Sequence, residues 1–251
     1  MNDRHVLITG GGTGIGAAIA QLLSDQGAKL TLVGRRLPPL QAAADSLHKA
    51  QAIACDVTDP TSVAAAFEQA AATHGPIDIL VNNAGAAPTA PFHKLTAADW
   101  RQVMAVNLDG VFNCTSAALD NMLAQSWGRI INIASTAALR GYAYVSAYSA
   151  AKHGVLGLTR SLALETATKG ITVNAICPGY TDTDIIRNSV AQIMEKTGRS
   201  EAEALSSFTS SNPQGRLIQP EEVAATVQWL CSEQARSVTG QAISVSGGEV
   251  M

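Results

Sequence analysis

The sequence contains few cysteines, and they are far apart. Cys55, Cys114, Cys177 and Cys231 are the four cysteines of the 251-residue chain, and none of them forms a C-x-x-C pair. The five histidines also lack the short spacings that are typical of metal ligands. These absences argue against a disulfide framework and a zinc site. We therefore expect reduced, buried thiols, no bound metal and a cytoplasmic location.

The sequence also lacks charged blocks and long apolar runs. Its net charge is −3, and no cluster of lysine and arginine is present, so it shows no electrostatic footprint of a nucleic-acid-binding protein. No apolar run approaches the roughly 20 residues that a helix needs to span a bilayer. A strand is predicted within the first residues, which leaves no room for a signal peptide. We therefore predict neither a nucleic-acid partner nor a membrane partner.

Aromatic residues are scarce, at 4%, whereas 47% of the residues are hydrophobic, so aliphatic side chains must fill the core. Strand-like apolar runs alternate with helical segments, which predicts a single-domain, doubly wound α/β fold with helices on both faces of a parallel sheet. We predict strands near 5–9, 29–33, 50–54, 77–81, 128–134, 171–176 and 242–246. Helices are predicted near 15–26, 38–48, 60–73, 97–124, 148–168, 183–197, 200–210 and 220–232.

A glycine cluster separates the first predicted strand from the first predicted helix. Gly10, Gly14 and Gly16 have the spacing G-x-x-x-G-x-G, which differs from the common G-x-G-x-x-G fingerprint. A glycine turn in this position lets the backbone approach a pyrophosphate, and the helix that follows points its N-terminus at the negative charge. The cluster therefore predicts a dinucleotide-binding loop.

The end of the second predicted strand indicates which dinucleotide is bound. An acidic residue here would accept a hydrogen bond from the ribose 2′-hydroxyl of NAD, whereas arginine suits the 2′-phosphate of NADP. The sequence has Arg35 and Arg36 at this position and no carboxylate. We therefore expect NADP(H) to be preferred over NAD(H).

Three polar side chains follow the pattern of a proton-transfer site. Tyr148 and Lys152 are four residues apart at the start of a predicted helix, so they lie on one face of it. A phenol has an ordinary pKa of about 10, and a nearby ammonium group is expected to lower it. Ser135 ends the buried strand that precedes this helix, where its hydroxyl can face a substrate carbonyl.

Over essentially its whole length, the sequence resembles the short-chain dehydrogenase/reductase family, which has a Rossmann-type fold. The motifs that carry the resemblance occur in the family's order. They are Thr9-Gly10-x-x-x-Gly14-x-Gly16, Asp56-Val57, Asn82-Asn83-Ala84-Gly85, Asn107, Ser135, Tyr148-x-x-x-Lys152, Pro178-Gly179 and Thr183.

The resemblance implies a catalytic tetrad. Tyr148 would donate a proton to the carbonyl oxygen in reduction, and Lys152 would lower its pKa and bind the nicotinamide ribose. Ser135 would polarise the carbonyl. Asn107 would bend its helix and hold a water molecule near Lys152, although an asparagine at this position could also cap a helix.

The resemblance also implies the cofactor contacts. Asp56 and Val57 would bracket the adenine, and Thr183 would contact the carboxamide. The full set of expected cofactor-binding residues is Thr9, Gly10, Gly12, Thr13, Gly14, Ile15, Gly16, Arg35, Arg36, Asp56, Val57, Asn83, Ala84, Gly85, Tyr148, Lys152, Pro178, Gly179, Thr181 and Thr183.

The long segment at about 179–219 is predicted to form a substrate lid, because segments of this length in compact domains are often functional. Together with residues 86–95 and 136–147 it should enclose the substrate. Candidate lining residues are Leu139, Tyr142, Tyr144, Val145, Tyr180, Ile185, Ile186 and Val190.

The sequence is similar to reductases of 3-oxoacyl thioesters, including polyketide ketoreductases and acetoacetyl-CoA reductases, and this implies reduction of a 3-oxoacyl thioester. The segment before Gly128 lacks the basic run typical of carrier-protein reductases, which favours a CoA thioester or a free ketone. A secondary-alcohol or 3-hydroxybutyrate dehydrogenase remains the alternative, and a non-catalytic dinucleotide-binding regulator is more remote. The family resemblance also implies a homotetramer or dimer.

Overall fold

The computed structural model describes every residue from Met1 to Met251. Its centre is one sheet of seven parallel strands in the order β3-β2-β1-β4-β5-β6-β7. This is the predicted doubly wound α/β fold. The strands β1 to β7 span His5–Thr9, Lys29–Gly34, Ala50–Ala54, Ile79–Asn82, Gly128–Ile133, Ile171–Pro178 and Ala242–Val245.

Helices cover both faces of the sheet, because side chains alternate between the two faces along each strand. In β1, for example, Val6 and Ile8 belong to the core cluster on one face of the sheet, whereas Leu7 belongs to the cluster on the other face. The helices α1 to α9 span Gly14–Asp25, Leu37–Asp45, Pro60–His74, Ala97–Met104, Gly110–Gln125, Ser146–Thr166, Asp184–Thr197, Glu201–Thr209 and Pro220–Cys231.

The predicted helix 97–124 is not one continuous α-helix in the structure. It is divided into α4 and α5 by a π-helical turn, Ala105–Asp109, with Asn107 at its centre. The alternative interpretation of Asn107 as a helix cap is wrong, because the residue lies inside this turn. A π-turn is invisible to hydrophobic periodicity and often marks a functional position.

The remaining landmarks lie close to their predicted positions. The helices α7 and α8 occupy the predicted lid segment and share a small apolar cluster of Ile186, Val190 and Ala204. All four cysteines are buried free thiols. None of the helices combines the length and apolar character required to cross a membrane. The carboxyl ends of the strands, together with the loops that follow them, surround a cavity of about 610 Å³.

Candidate active site

Ser135, Tyr148 and Lys152 come together beside the carboxyl end of β5. Ser135 follows this strand, and Tyr148 and Lys152 project from the first turns of α6. The Lys152 ammonium donates a 2.8 Å hydrogen bond to the carbonyl oxygen of Ile133 and lies 5.6 Å from the centroid of the Tyr148 ring. All three side chains face one cavity.

The pKa of Tyr148 departs from the expectation based on the sequence. Burial raises the pKa of this phenol to about 12, while the neighbouring Ser135 hydroxyl lowers it and Cys177 raises it slightly further. The pKa of Tyr148 is thus raised, whereas the sequence predicted that Lys152 would lower it. The physical reason is that removal of the phenol from water disfavours the phenolate more than the site stabilises it.

Lys152 is the second titratable group with a perturbed pKa. Burial lowers the pKa of its ammonium group to about 8, because only 3% of the residue is exposed and one carbonyl oxygen replaces its hydration shell. A lysine with such a pKa changes charge close to neutral pH. Perturbed groups in a cleft are typical of functional sites.

Asn107 is buried and connects the π-turn to the loop after β4. Its amide nitrogen donates hydrogen bonds to the carbonyl oxygens of Val103, at 3.0 Å, and Ala86, at 2.9 Å. A Cβ atom at Gly85 would lie 2.8 Å from Asn107 Oδ1 and 3.7 Å from Lys152 Nζ. The glycine therefore keeps open the space between these two side chains, where the resemblance places a bridging water molecule.

The glycine loop is held by the turn after β4. Thr9 Oγ1 accepts hydrogen bonds of 2.9 Å from the backbone amides of Asn83 and Ala84. Asn83 Nδ2 in turn donates to the carbonyl oxygens of Thr9, at 2.9 Å, and Gly10, at 3.2 Å. These hydrogen bonds of Thr9 and Asn83 fix the backbone at the start of the glycine loop. They explain why Thr9 belongs to the glycine motif and Asn83 to the motif after β4.

The glycines of this loop are required by geometry. Gly10 and Gly14 have φ values of 65° and 53°, in the left-handed region that favours glycine. A Cβ atom at Gly16 would collide with the carbonyl oxygen of Gly10, and one at Gly14 would lie 3.1 Å from Thr183 Cγ2. The loop thus presents bare backbone and the N-terminus of α1 to the cavity, which fits a dinucleotide pyrophosphate.

The residues expected to bind the adenosine part lie beyond this loop, and Arg35 and Arg36 are exposed there, at the carboxyl end of β2. Hydrogen bonds from the backbone and hydroxyl of Thr58, together with the more distant charge of Arg35, lower the pKa of Asp56. Val57 is buried, and its carbonyl oxygen accepts a hydrogen bond from Asn113.

A cavity of about 610 Å³ connects the glycine loop to the tyrosine. The predicted site residues that line it are Gly10, Thr13, Gly14, Ile15, Asn83, Ala84, Gly85, Ser135, Tyr148, Lys152, Pro178, Gly179, Thr181 and Thr183. The others lie outside its wall. They are Thr9, Gly12, Gly16, Arg35, Arg36, Asp56, Val57 and Asn107.

The substrate end of the cavity matches the prediction in part. Tyr142, Tyr144, Val145, Tyr180, Ile185 and Ile186 line it, but Leu139 and Val190 do not. Leu139 packs against the core beneath α6, and Val190 packs inside the lid. Thr136 and Phe208 also line the cavity, although no sequence motif singled them out.

The chain resembles proteins of known family in sequence and in structure. The model of the short chain dehydrogenase family matches residues 4–193. Cis-4-hydroxycyclohexanecarboxylate dehydrogenase of Sinomonas cyclohexanicum is 41% identical over 250 residues, which cover 98% of this chain and 96% of that protein. Acetoacetyl-CoA reductase of Shinella zoogloeoides is also 41% identical over 250 residues, covering 98% of both chains.

Among solved structures, the actinorhodin polyketide ketoreductase with NADPH superimposes with a TM-score of 0.94 at 37% identity. The match covers 98% of this chain and 97% of that one. Both the family match and the relatives extend over the glycine loop and the Ser135, Tyr148 and Lys152 cluster. The chain therefore belongs to the short-chain dehydrogenase/reductase family of nicotinamide-dinucleotide-dependent oxidoreductases.

Proposed function

We propose that this protein reduces a ketone to a secondary alcohol with NADPH, and that the ketone is a 3-oxoacyl thioester. The observation that carries the proposal is the arrangement of one cavity. Two hydroxyl groups, of Ser135 and Tyr148, and the Lys152 ammonium line the same space as the glycine loop. A carbonyl bound there would meet proton donors on one side and the nicotinamide on the other.

The hydroxyl of Ser135 can donate a hydrogen bond to the carbonyl. Ser135 Oγ accepts a 3.1 Å hydrogen bond from the backbone amide of Ala137, so its own proton is not used in that bond. A donor fixed in this way stabilises negative charge that develops on the substrate oxygen. Ser135 is therefore assigned the carbonyl-polarising role.

Tyr148 is assigned proton transfer to the same oxygen. With a pKa of about 12 it carries its proton at neutral pH, as a donor must. Lys152 uses one of its three ammonium protons on the Ile133 carbonyl, which leaves two for the nicotinamide ribose and for a proton relay beside Asn107. When bound, the dinucleotide supplies the hydride.

The preference for NADPH rests on charge at the end of β2. Arg35 and Arg36 are exposed there, and no acidic side chain follows the strand directly to accept a 2′-hydroxyl. The actinorhodin ketoreductase, which has the same fold, is seen with NADPH. Both points support the phosphorylated cofactor for this chain.

The substrate class rests on the relatives. The similarity to an acetoacetyl-CoA reductase and to a polyketide ketoreductase supports a 3-oxo group next to a thioester. A secondary alcohol is the second candidate, because cis-4-hydroxycyclohexanecarboxylate dehydrogenase is equally similar. A 3-hydroxybutyrate dehydrogenase would be expected to use NAD, which Arg35 and Arg36 disfavour. A non-catalytic regulator does not need the complete tetrad.

The test is a comparison of kcat/KM for NADPH oxidation with acetoacetyl-CoA, a 3-oxoacyl carrier-protein thioester and simple cyclic ketones, repeated with NADH. We expect the CoA thioester and NADPH to give the highest value. A higher kcat/KM for a cyclic ketone, or for a cyclic alcohol in the reverse direction, would assign the second candidate. Absence of turnover with every pair would contradict the proposed reaction.

A further inference from the structure

The C-terminal segment places an acidic side chain directly behind the substrate end of the cavity. The side chain of Glu249 is only 1% exposed. Its Oε1 atom accepts hydrogen bonds from Arg140 Nη2 at 3.0 Å, Tyr142 OH at 2.9 Å and Ser211 Oγ at 2.9 Å. The carboxylate thus joins the loop after β5, the end of the lid and the C-terminus, which are distant in sequence.

This carboxylate determines where two hydroxyl protons point. Tyr142 OH lies 2.8 Å from Thr136 Oγ1 as well as 2.9 Å from Glu249, but it has one proton. The carboxylate can only accept, so the tyrosine proton points to Glu249 and the threonine proton points to the tyrosine oxygen. Thr136 and Tyr142 line the cavity and therefore present oxygen lone pairs, not protons, to a substrate.

The second carboxylate oxygen lies beside Gly179, a residue of the cavity wall. Oε2 accepts none of the three hydrogen bonds, and a Cβ atom on Gly179 would lie 3.0 Å from it. Gly179 itself lines the cavity. Because this residue has no side chain, Oε2 can approach the backbone of the cavity wall closely.

The positive partner of Glu249 does not cancel its charge within the cavity. The Arg140 side chain is 42% exposed and does not line the cavity, whereas the Glu249 side chain is buried. Water screens an exposed charge much more effectively than a buried one. The buried carboxylate of Glu249 therefore lies behind the wall formed by Tyr142 and Gly179, and its countercharge lies towards solvent.

We propose that Glu249 is a specificity-determining residue, which selects ketones with a neutral group beside the reacting carbonyl over ketones with a carboxylate there. The inference rests on the proposed ketone reduction and deepens it. A neutral ester or thioester meets no charge repulsion from Glu249 at this cavity wall. A carboxylate would meet a like charge and oxygen lone pairs in place of the donors that it requires.

The test uses a substrate pair that differs only in this group, ethyl acetoacetate and acetoacetate. The wild-type protein should reduce the ester with the higher kcat/KM. The conservative variant Glu249→Gln keeps an acceptor for Tyr142 and Ser211 but frees the charge of Arg140. It should raise kcat/KM for acetoacetate relative to the ester about tenfold, mainly through a lower KM.

A second variant, with the opposite expected effect on the substrate preference, separates the effect of charge from structural damage. Arg140→Gln removes the cation that partly balances Glu249, so it should widen the preference for the ester. Damage to the cavity wall would instead lower kcat/KM for both substrates in both variants. Glu221→Gln, on the exposed start of α9, is the matched control and should leave the ratio unchanged.

The outcomes separate this inference from the function on which it rests. If the ester is reduced but the ratio is the same in wild type, Glu249→Gln and Arg140→Gln, the role of Glu249 is wrong and the ketone reduction stands. If neither these two ketones nor acetoacetyl-CoA is reduced, the proposed function fails. Ligand-observed NMR then measures the binding of ethyl acetoacetate and acetoacetate to the same proteins. An equal binding preference in wild type and both variants would overturn the role of Glu249.

Discussion

The Lys152 ammonium lies over the face of the Tyr148 ring, 5.6 Å from its centroid, and donates its hydrogen bond to the Ile133 carbonyl. In this arrangement the two residues do not share a proton. Burial raises the pKa of the phenol to about 12 and lowers the pKa of the amine to about 8. Of these two residues, Lys152 is thus the one whose pKa lies nearer to neutral pH.

The first prediction concerns the pH dependence of ketone reduction. Because the folded pKa of Lys152 is lowered to about 8, its positive charge is present below that pH and is lost as the pH rises through it. We expect kcat/KM for ketone reduction with NADPH to fall as the pH increases beyond about 8, because this ratio reports the ionisation of groups in the free enzyme. A profile that stays flat well above this pH would show that the ammonium charge is not required.

The second prediction concerns the proton donor. Tyr148→Phe removes the hydroxyl but keeps the ring that packs beside Lys152. General acid catalysis contributes roughly 10²- to 10⁴-fold, so kcat should fall by this factor. The Kd for NADPH, measured by fluorescence titration, and the Tm should change little. Retention of near-wild-type turnover would exclude Tyr148 as the proton donor.

The third prediction concerns cofactor choice. Arg35→Ala removes one of the two guanidinium groups expected at the 2′-phosphate. It should raise KM for NADPH by roughly tenfold to a hundredfold, the range of a charged hydrogen bond, and leave KM for NADH unchanged. Arg236→Ala is a control, because this arginine is also exposed but lies near the amino ends of β5 and β6, at the opposite end of the strands from the glycine loop. Equal effects on both cofactors would contradict the assignment.

The fourth prediction concerns assembly. Leu164 on α6 is 82% exposed and Phe112 on α5 is 57% exposed, an arrangement that a second copy of the chain could cover. We expect the protein to sediment as a dimer or tetramer and Leu164→Glu to shift it towards the monomer. Met194→Glu, on an exposed position of the lid, should not. A monomeric wild-type protein in analytical ultracentrifugation would contradict this prediction.

Local patterns in the sequence were sufficient to predict the layers of the fold. Strand-like runs, helical segments and glycine turns follow one another so regularly that the strands and most helices begin and end close to their predicted positions. Apolar periodicity did not predict the break at Asn107, since five residues of wider helix leave this periodicity almost intact, whereas the family resemblance did imply a bend there. The prediction of one helix there was wrong for this reason.

The substrate end of the site was less predictable. Tyr142, Tyr180 and Ile186 lie in segments expected to enclose the substrate, and they line the cavity. Val190 is only one helical turn beyond Ile186, but it faces the interior of the lid. Which face of a lid helix is turned to the substrate depends on how the helix docks, and amphipathic spacing alone does not specify it.

The sequence by itself determined the fold class, because strand and helix patterns are local, whereas its resemblance to the family implied the residues of the dinucleotide loop and of the tetrad. Only the tertiary structure decided the direction of the Tyr148 pKa shift and the burial of Glu249. Desolvation and long-range hydrogen bonds govern both, and they arise only when segments distant in sequence, such as the loop after β5 and the C-terminus, meet in the folded chain.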